Sequence, residues 1–170
     1  MSALPSFRAV RGVAYDASLK VMFRLHPERI HVLMNRWLSL ASQVPVIRKL
    51  LRRCLVVDDP VLAQTVAGLH FPRPLGLAAG FDKNATEADI WGPLGFGSAE
   101  VGTVTAAGQP GTPTPRLFRL KADRALLNRM GFNNDGAAAA AERLRDRVEP
   151  EPLGVNLGKT KGTPADEAAD

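Results

Sequence analysis

Three stretches of small and apolar residues each run into polar residues that have no place in a core. The first, Pro74-Leu75-Gly76-Leu77-Ala78-Ala79-Gly80, continues to Asp82-Lys83-Asn84. The second, Ala99 to Val104, carries Thr103 and leads to Thr105. The third, Leu153 to Gly158, carries Asn156 and leads to Lys159. Between them lie segments of helical character: Ala85 to Trp91, and Ala137 to Arg147, where an alanine run is followed by Glu142, Arg143, Arg145 and Arg147. Strands that alternate with helices predict a parallel sheet. Polar groups gathered at the carboxyl ends of successive strands are what a β/α barrel shows at its active face.

The connection from Ala106 to Asn134 is too long for a simple turn, and connections of that length in a compact domain usually serve function. It holds Gly108, Pro110, Gly111, Pro113 and Pro115, then Arg116-Leu117-Phe118-Arg119, and it ends in Asn128-Arg129-Met130-Gly131-Phe132-Asn133-Asn134. Each carboxamide offers one acceptor and two donors, which suits a flat ring bearing amides. Asn128 and Asn133 read first as ligand-facing carboxamides, with a turn role as the alternative, and Asn134 is expected to cap or turn the chain ahead of the helix. Lys83, at a strand end beside small residues, can place a fixed positive charge against a ring that gains negative charge or against a carboxylate.

Residues 1–70 differ in texture. Ten Lys and Arg stand there against four Asp and Glu, while the remainder of the chain is one charge negative, for a net +5. His26-Pro27-Glu28 reads as a helix start, followed by an apolar face of Ile30, Leu33, Met34, Trp37, Leu38 and Ala41, with Arg29 and Arg36 on other faces. Pro45 opens a second helix whose apolar face holds Ile47, Leu50, Leu51 and Cys54, with Leu55 at its margin. Arg48, Lys49, Arg52 and Arg53 are expected to project from the opposite side, and Cys54 to be a buried small residue. An apolar face backed by a basic one suits an interfacial membrane anchor. It also suits a helical pair packed on the body with a solvated basic face, and periodicity does not separate the two.

No aromatic residues interleave with the basic ones, which argues against nucleic acid as a partner. The single cysteine excludes an internal disulfide and a cysteine-ligated metal, and no metal site is expected. No run of eighteen apolar residues occurs, and Arg8 and Arg11 interrupt the pattern of a secretory signal, so the cytoplasmic side of the cell is the expected location.

Five strings occur in order: GLAAGFDKN (76–84), GFGSAEVGTVT (95–105), PRLFRL (115–120), NRMGFNN (128–134) and GVNLGKTK (154–161). Together they closely resemble the quinone-dependent, membrane-associated class of dihydroorotate dehydrogenase, from about His26 onward. The resemblance implies a parallel β/α barrel of TIM type that holds FMN, oxidises dihydroorotate to orotate in pyrimidine synthesis and passes electrons to a quinone. It implies that Ala79, Gly80, Phe81, Asp82, Lys83, Thr103 and Asn156 meet the flavin. Lys83, with Asn128, Arg129, Met130, Gly131 and Phe132, would hold the substrate ring. His31 and Arg119 match the positions that meet the quinone. The basic helical segment, 1–70, would face the membrane surface from the cytoplasmic side as a peripheral attachment, and 71–170 would begin the barrel. From periodicity alone, His31 is as well read as a half-exposed packing residue.

A β/α barrel needs eight strands and typically about 250 residues, so the barrel is expected to be incomplete here. In the resembled class the general base is a serine in a later loop rich in Asn and Pro, which places it beyond Asp170. Thr163-Pro164-Ala165-Asp166-Glu167 reads as a helix beginning. The chain alone is accordingly expected to bind FMN weakly, to turn over nothing, and to self-associate through an unpaired sheet edge. The competing readings are a non-catalytic membrane-associated fragment and another FMN-dependent β/α-barrel oxidoreductase acting on a different ring.

Overall fold

The computed structural model describes residues 7–168. The outer ends of the two expected segments, 1–6 and 169–170, lie outside the described residues, as do the side chains of Arg8 and Arg11. The elements in order are α1 (Phe7–Met22), α2 (Pro27–Ser42), α3 (Pro45–Leu55), a 3-10 turn at Pro60–Leu62, β1 (Gln64–Val66), β2 (Leu69–Phe71), β3 (Gly76–Leu77), β4 (Ser98–Val104), β5 (Ala107–Gln109), β6 (Leu117–Leu120), β7 (Ala125–Asn128), β8 (Asn134–Gly136), α4 (Ala137–Arg145) and β9 (Leu153–Leu157). The central sheet is parallel, in the order β3-β4-β9, and does not close into a barrel within the described residues. Three antiparallel pairs, β1-β2, β5-β8 and β6-β7, surround it.

The helices form where the sequence signals them. Pro27 and Pro45 occupy first-turn positions of α2 and α3, where a missing N–H costs nothing. The His26 ring nitrogen Nδ1 accepts the N–H of Glu28, a local cap at the start of α2. Leu38 and Ala41 of α2 and Leu51 of α3 pack on a cluster of Ile90, Trp91 and Ala99, while Ala140 and Leu144 of α4 pack on Val101 and Val104 of β4. The helical prefix and α4 thus both pack on the face of β4 that carries Ala99 and Val101, covering one side of the sheet with helices as in an α/β unit.

The structure corrects several sequence expectations. The stretch before residue 70 is not wholly helical: β1 and β2 form a hairpin, turning at Ala67 and Gly68 with φ of 50° and 78°. That is the left-handed geometry a tight two-residue hairpin loop requires. The expected strand 74–80 shortens to Gly76–Leu77, and the expected helix 85–91 is a series of turns. Its organiser is Asp82, fully buried, whose carboxylate accepts the N–H groups of Thr86 at 2.9 Å and Glu87 at 3.0 Å. A side chain that takes those backbone donors competes directly with helix formation. Glu87 lies buried beside it and accepts the Thr86 hydroxyl at 3.0 Å. Burial, then the hydrogen bond and charge of Asp82, push the Glu87 carboxyl up to about 8. Near the end of the described chain, Thr163 to Glu167 makes only a single turn, Glu167 N–H donating to the Pro164 carbonyl at 3.3 Å.

The largest correction concerns α3. Arg48 and Arg52 do not project into solvent. Arg52 reaches the Glu149 carboxylate and, at 2.9 Å, that of Glu151; Arg48 lies 3.4 Å from Glu149 and 3.9 Å from Asp89. Arg73 completes the cluster, its Nη2 2.7 Å from Glu151 Oε1, with both side chains buried. Gly92 makes this possible, since a Cβ there would fall 2.2 Å from a Glu151 oxygen. The physical reason is the cost of buried carboxylates, which must have counter-charges. With the arginines turned inward, Val46 and Leu50 are left outside at 76% and 61% exposure, and Cys54 is exposed rather than buried.

Two outcomes follow. Arg73→Met leaves Glu151 with Arg52 alone, and should cost about 3 kcal/mol, the low end for breaking a buried pair, read as a shifted urea midpoint at constant m. A midpoint equal to wild type would contradict the role assigned to the cluster. Glu87 has a folded-state pKa raised above its ordinary 4.5, so the stability it permits is full below pH 4.5 and is lost as pH rises towards about 8. Glu87→Gln should flatten that decline between pH 5 and 9 in thermal melts (roughly the window set by linkage), and an unchanged slope would refute it.

Candidate functional site

The parallel register decides what meets at the carboxyl ends. Gly76 pairs with Ser98, and Gly102 with Asn156, so the ends of β3, β4 and β9 come to one edge. Gly102 adopts φ of +104°, and its N–H and carbonyl bond the Asp82 carbonyl at 2.9 Å and the Gly80 N–H at 2.8 Å. A Cβ on Gly102 would fall 2.5 Å from the Asn156 carbonyl. This glycine therefore lets the turn after β3 lie against the end of β4. Gly80 also has φ of +104°, and a Cβ there would meet nothing within 4 Å, so Gly80 faces open space.

The 106–134 connection folds back over this edge as β5, β6, β7 and β8, so most of it is built structure rather than free loop. Lys83 Nζ donates to Asn133 Oδ1 at 2.7 Å and to the Gly131 carbonyl at 3.3 Å. Phe132 approaches Gly158, as does the Thr103 methyl, so the Asn-rich loop and the ends of β4 and β9 are neighbours. The Thr103 hydroxyl donates to Asn156 Oδ1 at 2.6 Å. Asn134 is buried: its Oδ1 accepts the N–H groups of Thr105 and Gly136, and its Nδ2 donates to the Phe132 carbonyl at 2.7 Å. It ties the loop to β4, while the residue capping α4 is Gly136.

The remaining expected residues divide. Asn128 is exposed, and its Oδ1 accepts the Met130 N–H at 3.4 Å, a turn-forming contact. Arg129 points back to the Pro115 carbonyl at 3.1 Å and stacks 6.0 Å from the Phe118 ring centre, stiffening the β6-β7 hairpin. His31 on α2 meets Phe81 edge-on at 5.4 Å, so the prefix reaches the turn that carries Lys83. Arg119 donates to the Leu25 carbonyl at 2.7 Å and lies 4.9 Å from the Phe23 ring, holding the end of α1. No hydrogen bond joins His31 to Arg119 among the described residues.

Electrostatics sets the protonation here. Burial, then the positive charge of Lys83, hold His31 below its usual range against the opposing pull of Glu28. Burial and then Arg116 lower the Lys83 ammonium. Arg116, which the sequence reading left without a role, is bonded to Glu28 of α2 at 2.6 Å and to the Pro110 carbonyl at 2.9 Å. The edge therefore carries the Lys83 ammonium beside the Arg116–Glu28 ion pair, with an imidazole whose protonation is disfavoured by burial and Lys83. A separate groove of about 670 Å³ runs along α2, lined by Leu25, Val32, Leu33, Arg29 and Arg36.

Gly80 thus faces open space, and Lys83, Thr103 and Asn156 stand at or beyond the carboxyl ends of the same three parallel strands. Among known proteins, the sequence profile of dihydroorotate dehydrogenase matches residues 61–170. The dihydroorotate dehydrogenase (quinone) of Rhodococcus opacus is 63% identical over 154 residues, covering 91% of this chain and 43% of that protein. That of Corynebacterium glutamicum is 57% identical over 170 residues, covering 100% of this chain and 46% of that protein. The crystal structure of the Eimeria tenella dihydroorotate dehydrogenase in complex with ferulenol is similar with a TM-score of 0.68 at 40% identity, covering 84% of this chain and 39% of that one. The chain spans less than half the length of these relatives. On the profile match and these identities, it belongs to the dihydroorotate dehydrogenase family, beside relatives of the quinone class.

Proposed function

We propose that this chain supplies the first part of a barrel that holds FMN, oxidises dihydroorotate to orotate and delivers the electrons to a quinone at a membrane face. The observation that carries the reading is the Lys83 ammonium, half-buried at the end of β3 and held at 2.7 Å by Asn133 of the Asn-rich loop. When bound, FMN supplies a two-electron acceptor that can pass electrons on to a quinone. The work of this chain is placement. Lys83 offers its positive charge where flavin and substrate carboxylate would lie, and the backbone and carboxamides of 128–133 fix the ring. Positioning of this kind is itself a large part of a rate. The base that removes the substrate proton belongs, in this reading, to a loop beyond Asp170, and it must come within hydrogen-bond reach of that carbon.

The quinone would enter past α1 and α2. Burial and Lys83 disfavour protonation of His31, and in this reading its imidazole N–H would donate to a quinone carbonyl. Arg119 would act from the end of α1, where it binds the carbonyls of Met22 and, in the turn that follows, of Leu25. The membrane-facing surface is the apolar one: Trp37 and Leu40 of α2, with Val46 and Leu50 of α3, are exposed. No described helix is long and apolar enough to cross a bilayer; in this reading the exposed apolar face makes a peripheral attachment on the cytoplasmic side. Lys49 and Arg53, which remain exposed, would meet anionic lipid.

Two experiments test this. In the complete polypeptide containing this sequence, Lys83→Ala should lower kcat/KM for dihydroorotate by about a hundredfold or more, the scale of removing one preorganised charge. A colourless protein that gains no flavin, or a flavoprotein whose spectrum is unmoved by orotate, would defeat the proposal. Trp37→Asp with Leu50→Asp should reduce flotation with anionic vesicles, and unaltered partitioning would show that these helices face something other than lipid.

A further inference from the structure

On β4, Ala99 and Val101 are buried on the helix-packed side, and Val104 rejoins them past the register shift that follows Gly102. Strand alternation puts Glu100 and Gly102 on the opposite face, the one that would line the interior of a barrel. Glu100 pairs in register with Gly154 of β9, two residues before Asn156. Because Gly154 has no side chain, the Glu100 stem crosses it; a Cβ there would sit 3.3 Å from Glu100 Cγ. The Glu100 carboxylate thereby reaches Asn156, whose Nδ2 donates to Oε1 at 2.9 Å.

A carboxylate accepts and cannot donate, so it admits only one orientation of the Asn156 carboxamide, with the NH2 group towards Glu100. The carbonyl is then turned to Thr103, and it takes that hydroxyl's proton in a 2.6 Å bond. Thr103 is left with lone pairs alone, and Asn156 with one uncommitted N–H. We propose that Glu100 is a positioning residue: through Asn156 it makes the Thr103 hydroxyl an acceptor, setting the strand ends to receive the N–H edge of an isoalloxazine. This rests on the reading that Thr103 and Asn156 border the flavin.

The test uses the complete holoenzyme, freed of flavin and titrated with FMN while following flavin fluorescence. Glu100→Ala should weaken FMN binding about tenfold, the loss of one charge-assisted contact and the order it imposes. Glu100→Gln, which keeps an acceptor oxygen, should stay within about threefold. Asn156→Ala should weaken binding at least as much as Glu100→Ala, and the double variant should lose no more than Asn156→Ala alone, since Glu100 acts through Asn156. Gly154→Ala, which crowds the Glu100 stem without touching its charge, should weaken binding in the same direction. This variant carries the test if Glu100→Ala does not fold.

Additive losses, a Glu100→Ala protein with wild-type affinity, or equal damage from Glu100→Gln and Glu100→Ala would each overturn the proposal. If Asn156→Ala and Thr103→Ala both leave FMN affinity unchanged, the flavin reading itself falls and takes the proposal with it.

Discussion

A half-buried ammonium cannot stay stripped of water without oxygen partners, and that requirement draws the parts of this molecule together. Lys83 finds them in Asn133 and the Gly131 carbonyl, roughly fifty residues along the chain. The 106–134 connection must therefore fold back across the strand ends. Once there, its arginines anchor it outward: Arg116 to Glu28 of α2, Arg119 to the carbonyls of Met22, at the end of α1, and of Leu25 in the turn that follows. One desolvated charge thus ties the sheet to the insertion, and the insertion ties itself to the helical prefix. Burial opposes the ammonium and Arg116 adds to the opposition, so the acceptors are necessary to the arrangement.

The two ends of the sheet divide the labour. Glu151 precedes β9 and Arg73 precedes β3, so the buried ion cluster sits at the amino ends of the strands. Arg48 and Arg52 join it from α3. Lys83, Thr103 and Asn156 sit at the opposite ends. This separation follows the rule for β/α barrels, in which the amino face serves stability and the carboxyl face chemistry. Glu151 is pushed up by burial, yet the bonds from Arg52 and Arg73 more than offset this and hold it below the usual carboxylate range. The prefix is thereby fastened to the sheet by charge as well as by Leu38, Ala41 and Leu51.

Local signals were legible in the sequence, and long-range ones were not. Pro27 and Pro45 fix where α2 and α3 begin, because a first-turn proline needs no distant partner to act. The strands β4 and β9 and helix α4 were readable for the same reason, as were the polar residues at the strand ends. The orientation of α3 was not readable. Its basic and apolar faces look alike to periodicity, and the decision lies with Glu149 and Glu151, nearly a hundred residues away. The segment after Lys83 was misread because the buried Asp82 carboxylate, which takes the N–H groups of Thr86 and Glu87, outranks helix propensity. The β1-β2 hairpin did leave a signal, Ala67-Gly68 between two short alternating runs, but Ala is an unusual residue at positive φ. Nothing in the 128–134 string distinguishes the inward Asn133 and Asn134 from the outward Asn128; only the fold does so.

The polar groups at the strand ends are already satisfied by one another. Lys83 is held by Asn133, the Thr103 hydroxyl by Asn156, and the Asn156 amide by Glu100. On the proposed function, a ligand arriving at this edge would exchange hydrogen bonds more than gain them, and exchanged bonds contribute little net free energy. Its affinity would then come from covering the small residues Ala79 and Gly80 and from the positive charge of Lys83. The internal bonds contribute direction, because each donor and acceptor is aimed before the ligand binds and less ordering remains to be done on contact. For the short sheet β3-β4-β9 this is a structural necessity as well. Its carboxyl edge can hold polar side chains half-buried only because they complete one another's bonding, and that same mutual completion gives the edge a single, readable polarity.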